Sequence, residues 1–291
     1  MKIRSFVALL LVLTMAFGLT ALAAFDNSQT IAVVSREEGS GTRGAFIELT
    51  GVQQKNAEGK DQDYTYAEAD FVNGTSLVIT TVAGNEYAVG YASLSSVLHN
   101  DTVKMVKVNG VEPSTENILN ETYPIARPFN VVTKGELTDE LAIDFMAFVM
   151  SKQGQAVVAE DGLVPVVADA PEYVAKNLKG TLVVGGSTSV APVMELLGEA
   201  YTALNAEVEV DVQSTGSTAG VTGALDGTYM IGMASRTLKD SEVEAGALGV
   251  AIGIDGIAVI TSTQNPVEDL SLEQVRQIFV GEITTWADIV K

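Results

Sequence analysis

The chain contains no cysteine, one histidine and one tryptophan, and only 17 of its 291 residues are Lys or Arg. Without cysteine there can be no disulfide, no thiol nucleophile, no Cys-based zinc site and no lipid-modified N-terminal cysteine. A lone His99 excludes a three-histidine metal site, and any Ser–His pair would have to use it. Its SSVLHND surroundings are polar, so a solvated histidine is expected. The few basic residues face 37 Asp and Glu, giving a formal net charge of -20 and a pI near 4.3. Such a chain lacks the basic surface that nucleic acid or acidic lipid would require. Apolar residues, by contrast, make up 47% of the chain, alongside 27 glycines. That is a globular composition, and the length suits two lobes with a core in each.

One long apolar run is present, at the start. In MKIRSFVALLLVLTMAFGLTALAA, Lys2 and Arg4 precede an uncharged stretch that ends in Ala21-Leu22-Ala23. This is the pattern of an export signal at 1–24, with cleavage expected after Ala23 or Ala24. The run is short for a membrane span. Without Lys2 and Arg4 the remaining 15 basic and 37 acidic residues give a net charge of -22. The mature protein is expected to be periplasmic or extracellular and to act as a monomer.

Short apolar strands alternate with helical patterns along the rest, which argues an α/β fold with a mainly parallel sheet. IAVVS (31–35) is a strand, and AFIEL (45–49) begins a helical face. SLVITTVAG (76–84) fits a strand or a weak helix. VKMVKVNGVEPS (103–114) carries Asn109-Gly110, a hairpin signal. ELTDELAIDFMAFVMSKQG (136–154) is the clearest helix, with Gly154 a candidate stop. TLVVGGSTSVAPVMELLGEAYTAL, from 181, and VEVDVQSTGSTAGVTGAL (208–225) both read strand, polar turn, helix. MIGMAS (230–235) is a short strand ending in polar residues. GVAIGIDGIAVITS (249–262) reads as a Gly-broken strand pair. Ser271 and Gln274 have capping-box spacing.

Three loops share one chemistry: Gly39-Ser40-Gly41-Thr42, Gly186-Ser187-Thr188-Ser189 and Thr215-Gly216-Ser217-Thr218. Each follows an apolar strand and opens a helical segment. The first N–H groups of a helix have no internal partner, and with the helix dipole they favour an anion. Glycine lets the backbone come close, and Ser and Thr add hydroxyl donors. Each loop alone could be an ordinary cap, but three together point to an oxyanion site that needs no metal or cofactor. None is a P-loop, because no Lys precedes the Ser or Thr. Arg36 and Arg43 flank the first loop, and a guanidinium can grip an oxyanion with two parallel hydrogen bonds. Arg43, in a first helical turn, calls for a nearby anion or acid, with Glu37 and Glu38 available.

These segments resemble the phosphate-binding proteins of bacterial ATP-driven phosphate importers. The resemblance rests on IAVVSREEGSGTRGAF, GGSTSVAPVMELLGEAY, VQSTGSTAGVTGALDGTYMIGMASR and GIDGIAVITSTQNPVEDLSLEQVRQIFVGEITTWADI, which together span nearly all of the mature chain. It implies a two-lobed periplasmic-binding-protein-like α/β fold of type II. The implied ligand is inorganic phosphate, the implied partner a membrane ABC permease, and no enzymatic activity is expected. Another oxyanion (sulfate or molybdate), or a surface or signalling protein of the same fold, is the alternative. By motif, the implied phosphate ligands are Arg36, Ser40, Gly41, Thr42, Thr188, Ser189, Ser217 and Thr218. The family's acid that accepts a phosphate proton is expected after Ala234-Ser235, where this chain has Arg236. Asp255 and Glu38 are therefore the candidate proton acceptors, with Asp255 preferred because it sits in a Gly-flanked strand at the crossover, whereas Arg36 could hold Glu38. Arg43 and Arg236 are expected to support the site from behind.

The motif order departs from the family. GGSTS is expected near the N-terminus, with WADI leading into REEGSGTR; here REEGSGTR comes first and WADI ends the chain. This is the pattern of a circular permutation, with the old termini joined through 166–180. A fragment of a tandem duplication or a mis-called gene is the alternative, set against the single occurrence of every expected segment and the export signal ahead of the new start. The implied organisation is lobe A from 25–126 plus 264–291, lobe B from 130–260, and interlobe crossings at 125–133 and 255–264.

Overall fold

The computed structural model describes residues 25–290, so the expected export signal at 1–24 lies outside the described residues. The chain opens with β1 (Ala32–Arg36), α1 (Gly41–Thr50) and a hairpin of β2 (Gln53–Lys55) and β3 (Asp61–Asp63). It continues through β4 (Asp70–Val72), α2 (Thr75–Ala83), β5 (Ala88–Ser93), α3 (Leu94–Val97), β6 (Val103–Val108) and α4 (Thr115–Leu119). Strand β7 (Ala126–Lys134) leads into α5 (Glu140–Val149), α6 (Lys152–Glu160), β8 (Val164–Pro165), β9 (Lys179–Gly186) and α7 (Ala191–Leu204). Then come β10 (Glu207–Ser214), α8 (Ser217–Asp226), β11 (Ile231–Ala234) and α9 (Asp240–Glu244). The returning strand β12 (Ala247–Ser262) is followed by β13 (Asp269–Leu270), α10 (Leu272–Phe279) and a 3-10 turn, Trp286–Asp288.

The strands run in the order β10-β9-β11-β7-β12-β5-β1-β4. Two large apolar clusters fill the two ends of this order. One contains Val34, Phe46, Tyr91, Ile125, Ile257, Phe279 and Trp286; the other contains Phe129, Phe145, Phe148, Val184, Leu197, Tyr201 and Ile252. The change of cluster falls between Ile125 and Phe129 on one passage and between Ile252 and Ile257 on the other. β7 and β12 therefore carry the chain between two α/β lobes. They pair antiparallel to each other, and β12 also pairs antiparallel with β5 and β6. The expectation of a mainly parallel sheet is thus corrected: the outer pairs are parallel, and the two crossing strands make the sheet mixed.

The chain ends meet in lobe A. Ile31 N donates to Thr284 O at 2.9 Å, Asn27 donates to Val290 O at 3.1 Å, and Trp286 is fully buried. Segment 271–290 thus completes a core begun by residues some 250 positions earlier. Helix α10 sits there because its capping box forms, Ser271 and Gln274 exchanging hydrogen bonds, while Val275, Ile278 and Phe279 share one buried face.

Other expectations change in detail. The helix at 136–154 is two helices. Ser151 breaks it, donating to Phe148 O at 2.6 Å and capping Gly154 N at 3.2 Å. Gly154 does not stop a helix; it lies inside α6, where a Cβ would sit 2.2 Å from Phe148 O. Segment 76–84 is helical. Segment 249–262 is one continuous strand with a bulge between Ala251 and Gly253, not a pair. Asn109 and Gly110 form a left-handed turn, but its return arm is a single bridge, and β6 pairs instead with β12 and β13.

Candidate functional site

Four helix starts face one point between the lobes: α1 and α2 from lobe A, α7 and α8 from lobe B. Strand β1 delivers Arg36 to this point, and Ser40 caps α1 by accepting from Arg43 N at 3.2 Å. The starts of α2 and α8 follow Gly74 and Gly216, at φ 84° and 96°, with no side-chain cap. Both glycines occupy backbone that other residues avoid, although Gly74 N already donates to Glu37 and Gly216 N to Gly186 O.

Hydroxyls from both lobes converge here. Thr42 Oγ1 lies 2.9 Å from Ser189 Oγ and 3.3 Å from Ser235 Oγ. Thr75 Oγ1 lies 2.9 Å from Ser189 Oγ and 3.2 Å from Thr188 Oγ1. Ser235 also receives the Ser187 hydroxyl at 2.9 Å, and its own N–H donates to Ser217 Oγ at 3.1 Å. Across the cleft, Thr218 N donates to Gly39 O at 3.1 Å. The lobes are therefore closed on each other at the loops. Cavities of about 690 and 380 Å3 flank the cluster; Glu37, Gly74, Thr75 and Thr188 line the first, and Glu38, Gly39, Gly216 and Thr218 the second. A groove of about 720 Å3 on the outside of lobe B, between α7 and β10, carries Glu195, Glu199, Glu209 and Asp211 and would repel an anion.

Two buried guanidinium groups bound the cluster. Arg36 donates to Glu37 through Nε at 2.7 Å and Nη2 at 2.6 Å, to Thr188 at 2.9 Å and to Thr75 at 3.3 Å. Its backbone is braced by Tyr91, whose hydroxyl accepts from Arg36 N and pairs with Ser35, while its ring stacks on Phe46 at 3.9 Å. Burial pushes the Tyr91 phenol up to about 12, so it stays neutral. Burial alone would raise the Glu37 carboxyl, but the Arg36 hydrogen bonds and charge and the Gly74 N–H together hold it below its usual range. Arg127 is the second guanidinium, ion-paired with Asp255 and donating to Thr42 at 3.3 Å. Burial lowers its pKa, and the Asp255 carboxylate opposes that.

Of the residues expected at the site, Arg36, Thr42, Thr188, Ser189 and Ser217 come together directly. Gly41 lies against Ser217 and Ser235, where an added Cβ would be 2.2 Å from one hydroxyl and 2.8 Å from the other. Ser40 serves as the helix cap, and Thr218 is exposed, joining through its N–H. Arg43 turns outward to Asp63 at 2.8 Å and lies over the Phe71 ring, so its acid is neither Glu37 nor Glu38; it also donates to Arg36 O. Arg236 is held by Glu242 in a two-bond pair beside Gly44. Glu38 is exposed, and Arg36 takes Glu37 instead. Asp255 is fully buried and accepts from Arg127, Ser93 and Ser95, so it meets the cluster through Arg127. Sequence reasoning misses Thr75, Ser235 and Arg127, and it does not single out Ser187 within its loop. Asn73-Gly74-Thr75 repeats the strand–Gly–Thr–helix grammar and could have revealed Thr75, whereas nothing local marks Arg127.

Comparison with known proteins fits this geometry. A family model described as a PBP superfamily domain matches residues 23–153 and 173–290. The phosphate-binding protein PstS 2 of Streptococcus agalactiae is 45% identical over 281 residues, 95% of each chain. The phosphate-binding protein PstS of Bacillus subtilis is 31% identical over 141 residues, 48% of this chain and 43% of that one. The crystal structure of a phosphate-binding protein of a phosphate ABC transporter from Streptococcus pneumoniae superposes with a TM-score of 0.71 at 42% identity, covering 89% of this chain and 99% of that one. With a two-lobed fold, converging hydroxyl loops and end-to-end similarity of this kind, the chain belongs to the PstS phosphate-binding proteins of the PBP superfamily.

Proposed function

We propose that this protein captures inorganic phosphate between its lobes outside the inner membrane and delivers it to an ABC permease. It is a carrier and not an enzyme. The observation that carries this reading is the closed cluster in which Arg36 and Thr42 of lobe A meet Thr188, Ser189 and Ser235 of lobe B. Donors from both lobes can surround a tetrahedral oxyanion only when the lobes are together, so binding and closure are one event. In this reading the contacts are Arg36, Ser40, Gly41, Thr42, Thr188, Ser189, Ser217 and Thr218. Arg43 and Arg236 brace the loops, and Asp255 acts from behind Arg127.

The order of motifs is read as a circular permutation, with lobe B as one stretch and lobe A built from both ends. The adjacency of Ile31 and Thr284 supports it, since that is where a once continuous chain would have been opened to make the new ends. The match to the B. subtilis protein, confined to about half of each chain, is what a changed order leaves to a colinear comparison.

Calorimetry on the phosphate-stripped mature protein tests the function. One phosphate per chain is expected, with Kd near or below about 1 μM, or roughly -8 kcal/mol. EDTA should leave binding unchanged, because N–H, O–H and guanidinium groups supply the donors. Tight binding of sulfate or molybdate with no phosphate response would overturn this reading.

A further inference from the structure

Arg127 stands on β7 and Asp255 on β12, as directly opposed partners where both crossing strands pass between the lobes. Both are buried. The guanidinium is fixed on every side. Nη1 is held by Asp255 and by Gly256 O at 3.4 Å, Nε donates to Ser235 O at 3.1 Å, and the group lies 4.6 Å from the centre of the Phe129 ring. Asp255 is fixed in turn by the Ser93 hydroxyl at 2.7 Å and by Ser95 N at 3.1 Å. That leaves Nη2, which donates to Thr42 Oγ1 at 3.3 Å.

A guanidinium has five N–H donors and no acceptor. Four are committed by these contacts, and one Nη2 proton remains on the side of the hydroxyl cluster. The bond to Thr42 also has a direction. Because Arg127 donates, the Thr42 oxygen accepts from it, and the Thr42 proton is left for the facing Ser189 or Ser235 oxygen, at 2.9 and 3.3 Å, or for an anion that enters between them. Arg36 does the same to Thr188 and Thr75 from the other side. A structural ion pair would serve equally well anywhere along β7 and β12; this one is aimed at a loop from each lobe.

We propose that Arg127 is a second anion-recognition residue of the cleft and that Asp255 is its positioning residue. The inference rests on the phosphate reading above. Arg127 supplies positive charge at the crossover end of the site and orients Thr42 as a donor to the bound anion. Asp255 holds the guanidinium plane without touching the ligand.

The test uses phosphate titration of the mature protein and its variants. Arg127→Lys, which keeps the charge and loses the fork, is expected to weaken phosphate about 30-fold or more. Replacing the whole pair with Arg127→Met and Asp255→Leu leaves no unpaired buried charge and is expected to keep the fold while abolishing binding. Asp255→Asn should weaken phosphate as well, and its effect should shrink in the Arg127→Lys background, where binding is still measurable and the fork that Asp255 holds is already gone, a coupling that a general loss of stability would not produce. In the unmodified protein, labelled with nitrogen-15 arginine, the Arg127 side-chain signal should shift on adding phosphate, a readout that needs no variant to fold. The assignment is overturned if that signal stays still, or if the double variant binds phosphate normally. No phosphate response of any kind in the unmodified protein would instead remove the phosphate reading itself.

Discussion

Arg36 of lobe A donates from Nη2 to Thr188 of lobe B at 2.9 Å, while the same nitrogen holds Glu37 at 2.6 Å. The guanidinium is thus tied to its own lobe by an acid and to the other by a hydroxyl. Losing it would leave Glu37 half-buried without its counter-charge and remove a donor from the cleft. Arg36→Ala is expected to weaken phosphate by about 2–5 kcal/mol, the range for breaking a buried charged pair. Arg43→Ala should cost less, because that side chain faces Asp63 and Phe71. Titrating both variants checks the ranking; equal, small losses would put the anion elsewhere.

Gly41→Ala addresses closure. A methyl there would meet the Ser217 and Ser235 hydroxyls of lobe B at well under contact distance. Both are buried and hydrogen-bonded, so neither yields freely. The variant is expected to fold, to stay open and to lose phosphate binding. X-ray scattering with and without phosphate would show it, since the unmodified protein should contract and the variant should not.

Asp161, at the end of α6, gives a pH dependence. Its Oδ2 has no hydrogen-bond partner among the described residues. Burial, with the charge of Asp255, pushes its carboxyl up to about 6, and Ser95 and His99 offset this in part. In the unfolded chain it ionises near about pH 4. Between these values the folded state binds more protons, so this group's contribution makes stability fall as pH rises from about 4 to 6. Asp161→Asn is expected to raise Tm at pH 7.5, with the gain shrinking towards pH 4. A variant less stable than the parent at pH 7.5 would contradict this.

Deleting 271–291 tests the assembly of lobe A. The segment contributes Val275, Ile278, Phe279 and Trp286, all buried, and no proposed ligand. Its pairing with the chain start is long-range, but closure entropy grows only by about 0.6 kcal/mol per doubling of loop length. Loss of that buried surface should therefore dominate. The truncated chain is expected to lose phosphate binding and cooperative unfolding of lobe A; normal binding would refute the arrangement.

Much was determined by the sequence alone, because it is written in local chemistry. Alternation and helical spacing placed most strands and helices, Gly-Ser-Thr turns marked three of the four helix starts, and Arg36 announced itself beside one of them. Local patterns also erred locally: a helical period at 136–154 runs through Ser151 without showing that its hydroxyl caps a new helix. Only the tertiary structure decided which acids and bases meet. Arg36 took Glu37 and not Glu38, Arg43 took Asp63, and Asp255 was claimed by Arg127 across the crossing strands. The physical reason is that a buried charge must find its counter-charge in space, and for Arg127 and Asp255 strand register, not sequence spacing, brings the two together.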